Sequence, residues 1–342
     1  MDRIRVLSDL HVDINERYPL ELADKDVFTV VCGDTGGETD MAVDWIKKNV
    51  RRGVVVHGNH LPYCNTPERG PAGYRTMDEL RARLSEEFPP DGDVSYLDVQ
   101  AGFFKKVVDG VMFLGGCMYT DFAAKHPVWN PDGDAELNME NARWHMRDYR
   151  YGYVSRSFPA GADNEPAYER LRPTDCLRWF GESAAAFEKA LAENEASASP
   201  LPVVVATHYP LVSDLLGHNA YVEDPEWIDR RGDFIWGSYA SDRLGWLLSH
   251  PSVRCACSGH VHDAERAYRL RSVPRPDGPP LLLVHNPRGY VQRGHARWFN
   301  PDTFVRLPEW RAEERELTPE EDAEREKPGK DYLEALLSMG FF

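Results

Sequence analysis

Five short motifs in this 342-residue chain collect the residue types that bind metal ions. They are Asp9-Leu10-His11, Gly33-Asp34, Gly58-Asn59-His60, Thr207-His208 and Gly259-His260-Val261-His262. Imidazole combined with carboxylate suits manganese, iron, zinc or cobalt, whereas magnesium and calcium prefer all-oxygen shells. The set holds too many ligands for one ion. Two ions about 3.5–4 Å apart, sharing a bridging carboxylate, would use them all and would clamp both oxygens of an in-line displacement. Taken singly, Asp-x-His and Gly-Asp are common, the latter as ordinary turn chemistry, and Gly-His-x-His is the most specific of the five. Their weight comes from a shared context, which is the standard a motif must meet.

That context is a set of strands. Each motif follows an apolar, β-branched run: IRVLSD (4–9), VFTVVCGD (27–34), VVVHGN (54–59), VVVATH (203–208) and VRCACSGH (253–260), with a sixth run, VMFLGG, at 111–116. Such near-continuous runs suit strands buried on both faces. Helical patterns lie between some of them. Ala42, Val43, Trp45, Ile46 and Val50 mark one over 39–50, and Thr76 with Glu79 makes a capping box for another over about 77–87. Leu177, Phe180, Ala184, Phe187 and Leu191 recur at steps of three and four, giving a third. Strands alternating with helices predict a layered α/β fold, in which loops at the carboxyl ends of the strands converge on one crevice. The glycines at 33, 58 and 259 suit sharp turns with close backbone approach to an ion. His57 faces the same way as Asn59 by strand alternation, but with the ligand set full it reads as packing.

The ordered set D-x-H, GD, GNH, a histidine after a strand, and GH-x-H resembles the calcineurin-like metallophosphoesterase superfamily, over a match running from Asp9 to His262. The resemblance implies a sandwich of two mixed β-sheets flanked by helices. It implies one metal held by Asp9, His11, Asp34 and His262, and a second held by Asp34, Asn59, His208 and His260, with Asp34 bridging. His60 would be the acid beside the leaving group. The cofactor expected is a pair of divalent ions, manganese foremost, with iron, zinc, cobalt or nickel as the other choices. The reaction expected is hydrolysis of a phosphomonoester or phosphodiester by in-line attack of a hydroxide shared between them. Two readings stand beside it: a non-catalytic binding module on the same fold, and a hydrolase of a non-phosphate ester.

Departures narrow the branch. Gly33 opens GDTGGET and Gly58 opens GNHL, so the GDxxDRG and GNHE patterns of the protein Ser/Thr phosphatases are missing. Gly37 stands where purple acid phosphatases carry a tyrosine, and Leu61 stands where many cyclic-nucleotide phosphodiesterases have an aspartate. The segments Asn286-Pro287-Arg288-Gly289-Tyr290 and Tyr119-Thr120-Asp121-Phe122 look similar to bacterial Icc-like phosphohydrolases. Tyr119, Asp121, Asp148, Tyr149 and Arg150 could line a substrate pocket. Arg288 could clamp a phosphate, although the Asn-Pro and Gly around it also read as plain turn chemistry.

Organisation follows. A single metallophosphoesterase domain is expected over 1–306, with an insertion or cap at about 118–175, where Tyr, Trp, Asn, Asp, Arg and Pro follow no sustained period. An acidic helical tail is expected over 307–342. In it Thr318, Pro319 and Glu321 fit the N-cap, N1 and N3 positions of a helix. Its apolar end, LLSMGFF, is expected to dock on the body or on a second copy of the chain.

The net charge of -16, from 40 Lys+Arg against 56 Asp+Glu, argues against non-specific nucleic-acid binding and against anionic membrane. A small phosphate ester remains acceptable, because bound metal inverts the local field. No apolar run approaches the ~18–20 residues that span a bilayer. The opening MDRIRVLSDLH lacks the features of a signal peptide, so a soluble cytoplasmic protein is expected. The six cysteines are irregularly spaced, without a C-x-x-C pair, and read as buried free thiols.

Overall fold

Strands that are apolar on both faces need cover on both, and the fold supplies it with two six-stranded sheets and flanking helices. The computed structural model describes residues 1–70, 73–125, 130–157, 167–213, 237–241, 243–262, 269–275 and 278–338. In the first sheet, β1 (Arg3–Leu7), β2 (Phe28–Cys32), β3 (Gly53–Val56) and β4 (Val94–Tyr96) run parallel. The hairpin of β13 (Thr303–Arg306) and β14 (Arg311–Glu314) adds an antiparallel edge beside β1. In the second sheet, β6 (Val111–Gly116), β9 (Val203–Thr207), β10 (Val253–Ser258) and β12 (Leu281–His285) run parallel. Its edges, β5 (Lys105–Val108) and β11 (Leu270–Val273), are antiparallel.

Alternate residues of the two sheets meet in a shared core. Ile4, Val6, Val30, Val54 and Val56 pack there with Phe113, Val204, Ala206, Cys255 and Val284. The opposite residues of the first sheet, Leu7, Val31 and Val55, lie under α1 (Thr39–Asn49) and α2 (Met77–Glu87). Leu114, Val203 and Val205 of the second lie under α5 (Pro173–Glu195) and α6 (Gly245–Ser249). The layers are therefore helix, sheet, sheet, helix, as expected from the sequence. The Thr76–Glu79 capping box is present in both directions. All six cysteines are buried and unpaired.

Two segments differ from expectation. Within 118–175 the described residues form α3 (Ala135–His145), α4 (Asp148–Tyr151) and the hairpin of β7 (Tyr153–Ser157) with β8 (Ala167–Arg170). Helix α3 shows no period because it buries only Asn138 and Ala142; its start is set instead by Asp134, whose side chain accepts from the amides of Glu136 and Leu137. Residues 311–314, placed in the tail by sequence, form β14, so the chain stays in the first sheet beyond 306. The run RAEE carries no apolar alternation because it is an edge strand, where charge is the usual protection against further pairing.

The tail helix, α7 (Pro319–Ser338), begins with the expected pair: the Glu321 amide donates to Thr318 Oγ1 at 3.2 Å, and the Thr318 amide to Glu321 Oε2 at 2.9 Å. It lies against the turns Val291–Arg293 and His295–Trp298, where Arg325 donates to the Arg297 carbonyl at 2.7 Å. The side chains of LLSMGFF lie outside the described residues. Among those described, no helix is long and apolar enough to cross a membrane.

Candidate metal centre

The five motifs leave the carboxyl ends of β1, β2, β3, β9 and β10 and lock onto one another through backbone. The Asp9 amide donates to the Gly33 carbonyl at 3.0 Å, His11 to Asp34 at 3.0 Å, Gly259 to His208 at 2.9 Å and Gly289 to Asp9 at 2.9 Å. The carboxylates fasten neighbouring loops. Asp34 Oδ1 accepts the His60 amide at 3.0 Å, and Asp9 Oδ2 accepts the His260 amide at 2.9 Å. A β-carbon at Gly58 would run into Asp34 Oδ1, and one at Gly259 into Ser8 Oγ and Asp9 Oδ2. These two glycines thus let the side chains of Asp34, Ser8 and Asp9 lie close against the neighbouring loops. Asp9, His11, Asp34 and His260 sit at φ 51°, 44°, 47° and 74°. Left-handed backbone at such residues costs on the order of 1–3 kcal/mol each and persists only where the surroundings enforce it, as at ligand clamps.

The structure brings all seven expected ligands together in two groups. In the first, His262 Nε2 lies 3.1 Å from both His11 Nε2 and Asp9 Oδ1. In the second, Asn59 Oδ1 lies 2.9 Å from His208 Nε2 and 3.0 Å from His260 Nδ1. Asp34 Oδ2 lies 3.4 Å from His208 Nε2, and Asp34 shares one donor cluster with His11 and His60 and another with Asp9 and His208.

These contacts call for positive charge among the donors. His208 Nδ1 donates to the Cys32 carbonyl at 2.9 Å, so in the neutral ring Nε2 carries a lone pair. That lone pair would face the oxygens of Asn59 and Asp34, acceptor against acceptor, so a proton or a cation must stand between them. Metal bonds of about 2.1 Å place neighbouring donors about 3.0–3.4 Å apart; the separations here run from 2.9 Å to 3.4 Å, with His11 Nε2 to Asp9 Oδ1 wider at 4.0 Å.

Titration behaviour agrees. Burial alone would raise Asp9 and Asp34, yet each is held well below the usual carboxylate range, Asp9 chiefly by His262 and Asp34 by His208 and His60. Burial pushes His11 and His260 well down, so both are neutral and able to ligate. His208 is the exception: burial would lower it, but the charge and hydrogen bond of Asp34 push it up to about 9. Without metal, a proton therefore stands in for a cation, and below pH 9 an incoming ion must displace it. Calorimetric titration with Mn²⁺ is expected to show affinity rising between pH 6.5 and 8.5, by up to about tenfold per unit for one released proton, with heats that depend on the buffer's ionisation enthalpy. Affinity independent of pH across that window would contradict the displaced proton.

His60 sits at the edge of the cluster. Its Nε2 lies 3.8 Å from Asp34 Oδ2 and 3.4 Å from the Tyr290 hydroxyl, and burial keeps its pKa low despite Asp34. With Leu61 in the following position, its ring is held by stacking. Tyr63 lies over it at 4.0 Å between centroids, and His11 meets it edge-on at 4.6 Å. The signal was local: Tyr63 is three residues on, in a 3₁₀ turn (Leu61–Cys64), where positions i and i+3 eclipse. Sequence reasoning also missed Tyr290, whose ring centroid is 4.8 Å from His11 and 4.9 Å from His262, and His295, 3.2 Å from His262 Nδ1.

Of the substrate candidates, Arg288, Tyr119, Asp121 and Arg150 make contacts away from the donor cluster. Arg288 is buried and its guanidinium donates to the Tyr18 carbonyl, so it braces the loop before α1 instead of facing the cluster. Tyr119 is buried among Trp179, Tyr209 and His57. Asp121 accepts from the Ala123 amide in a local turn. Arg150 is exposed and donates to the Trp144 carbonyl at 3.3 Å. His57 packs in the core, with Nδ1 2.7 Å from the Tyr96 hydroxyl.

No family model and no curated protein matches the chain. Among solved structures, the phosphopantetheinyl hydrolase of Mycobacterium tuberculosis is similar, with a TM-score of 0.54 and 18% identity over 83% of this chain and 89% of that one. At that identity the likeness is one of fold, and the fold it shares is the double-sheet, helix-flanked architecture that carries the donor cluster.

Proposed function

We propose that this protein is a metal-dependent hydrolase of small phosphate esters, using two divalent cations. Asp9, His11, Asp34 and His262 would hold one, and Asp34, Asn59, His208 and His260 the other. The observation that carries the reading is the convergence of buried imidazole, carboxylate and amide donors on Asp34, with His208 Nε2 facing Asn59 Oδ1 at 2.9 Å and Asp34 Oδ2 at 3.4 Å, contacts that need a proton or a cation between them. Such ions supply Lewis acidity and lower the pKa of water towards ~7. Asp34 spans the two groups and fixes their separation. His60 sits beside Asp34 with Nε2 directed to the cluster, where it delivers a proton to the leaving oxygen. Tyr290 walls the site and keeps its hydroxyl within 3.4 Å of that nitrogen. The neighbour in fold is named for hydrolysis of a phosphopantetheinyl group, in keeping with phosphate chemistry at such a donor set.

The test is elemental analysis of the purified protein together with turnover of p-nitrophenyl phosphate, bis(p-nitrophenyl) phosphate and a carboxylic nitrophenyl ester, each with and without Mn²⁺. Metal-dependent turnover of a phosphate ester, and none of the carboxylic ester, is expected. A protein that takes up no divalent ion, or that cleaves only the carboxylic ester, would overturn the proposal.

A further inference from the structure

We propose that Asp148, carried into the site by helix α4, is the positioning residue that sets both the Asn59 amide and the His60 ring. The inference rests on the metal-centre reading above. Asp148 is 3% exposed, and its Oδ2 accepts from the Tyr63 hydroxyl at 2.9 Å. Burial pushes the Asp148 carboxyl up to about 6, and the Asn59 side chain is among the groups that hold it down, as an amide donor beside a carboxylate does. One buried acceptor therefore joins two residues that reach the donor cluster by different routes.

The first route is through Asn59. A side-chain amide has an oxygen that can ligate a cation and an NH₂ that cannot. Both ends fit the same space. Among the described residues, what the oxygen meets is two imidazole nitrogens, His208 Nε2 at 2.9 Å and His260 Nδ1 at 3.0 Å. Once both nitrogens ligate a cation they no longer donate to the amide, so they do not choose its orientation. A carboxylate on the far side does choose, because it accepts only and draws the NH₂ away from the cluster. Asp148 thus presents Asn59 Oδ1 inward. Partners of this kind, behind a ligand, typically tune affinity by ~10–100-fold.

The second route is through Tyr63. Its ring stacks on His60 at 4.0 Å with an interplanar angle of 26°. A stacked ring free to slide would not fix its neighbour; the hydroxyl bond to Asp148 pins it. Where related patterns place an acidic residue directly after the histidine, this chain has Leu61. Asp148 supplies a carboxylate from another segment, with Tyr63 as the intermediary.

The two routes give separate readouts. Asp148→Asn keeps the shape but adds an NH₂ that competes for the same contacts. It is expected to weaken one of the two Mn²⁺-binding steps by ~10–100-fold in calorimetry, leaving the other step unchanged. Tyr63→Phe removes only the hydroxyl anchor. It is expected to keep both Mn²⁺ steps within about twofold of wild type while losing about tenfold more kcat on an alkyl phosphate ester than on a nitrophenyl ester, as misplacement of a general acid predicts. Thermal melts of each variant check folding. Should Asp148→Asn fail to fold, the leaving-group comparison for Tyr63→Phe decides. Wild-type binding of both ions by Asp148→Asn, or an unchanged leaving-group ratio in Tyr63→Phe, would overturn the positioning role while leaving the metal centre standing. A wild-type protein that binds no Mn²⁺ would overturn the metal centre and this inference together.

Discussion

Asp34→Asn is expected to lose both metal ions and all measurable turnover while remaining folded. The carboxylate has two jobs that an amide cannot do at once. Oδ1 accepts the His60 backbone amide at 3.0 Å, and Oδ2 faces His208 Nε2 at 3.4 Å. Asparagine keeps one oxygen. If that oxygen serves the His60 amide, its NH₂ points at the donor cluster and cannot ligate. If it serves the cluster, NH₂ meets N–H and the loop carrying His60 moves. Either way the loss should exceed the ~10–100-fold typical of a partner behind a ligand, because the bond removed is to the ions themselves. A second readout needs no metal. Asp34 is the largest influence raising His208, which stands at about 9 against an opposing effect of burial. In Asp34→Asn that titration should fall to 6.5 or below, visible in the imidazole proton resonances of the apoprotein. Two ions per chain by elemental analysis, or a His208 titration still near 9, would sink the assignment of Asp34.

The part of the site that sequence revealed is the part written at strand ends. Asp9, Asp34, Asn59, His208 and His260 each follow a run of β-branched residues, and parallel pairing aligns those ends without further information. Helices α1, α2 and α5 were legible for a similar reason, since each buries one stripe and α2 also carries its own cap. What escaped detection depends on contacts between distant segments. Asp148 stood in sequence only as one of five pocket candidates; it sits in a four-residue helix with no period, and Asn59 and Tyr63 lie more than eighty residues earlier, so its place behind them was not legible. Tyr290 was overlooked because the charged Arg288 drew the phosphate-clamp reading. The turn instead buries the arginine against the Tyr18 carbonyl and delivers the neutral ring to the cluster. Edge strands such as β14 are hidden by the charge that protects them.

His60→Ala should separate acid catalysis from metal binding. The geometry sharpens the question, because His60 shares a donor cluster with His11 and Asp34 and could be taken for another ligand. Its contacts argue otherwise: Nε2 is 3.8 Å from Asp34 Oδ2, farther than His208 Nε2 at 3.4 Å, and a tyrosine hydroxyl lies 3.4 Å away. A general acid matters in proportion to how much the leaving oxygen needs a proton, and is worth ~10²–10⁴-fold when it does. A nitrophenolate departs readily as an anion, whereas an alkoxide such as a ribose oxygen does not. His60→Ala is therefore expected to retain both metals, to lose little kcat/KM on a nitrophenyl phosphate ester and to lose ~10²-fold or more on an alkyl or nucleoside ester. Loss of a ligand would behave differently, lowering metal content and depressing both substrates together. Equal losses on the two substrates with metals still bound would leave His60 only the task of placing the phosphate, and the proton would have to come from elsewhere in the site, where the Tyr290 hydroxyl lies 3.4 Å from the position of His60 Nε2.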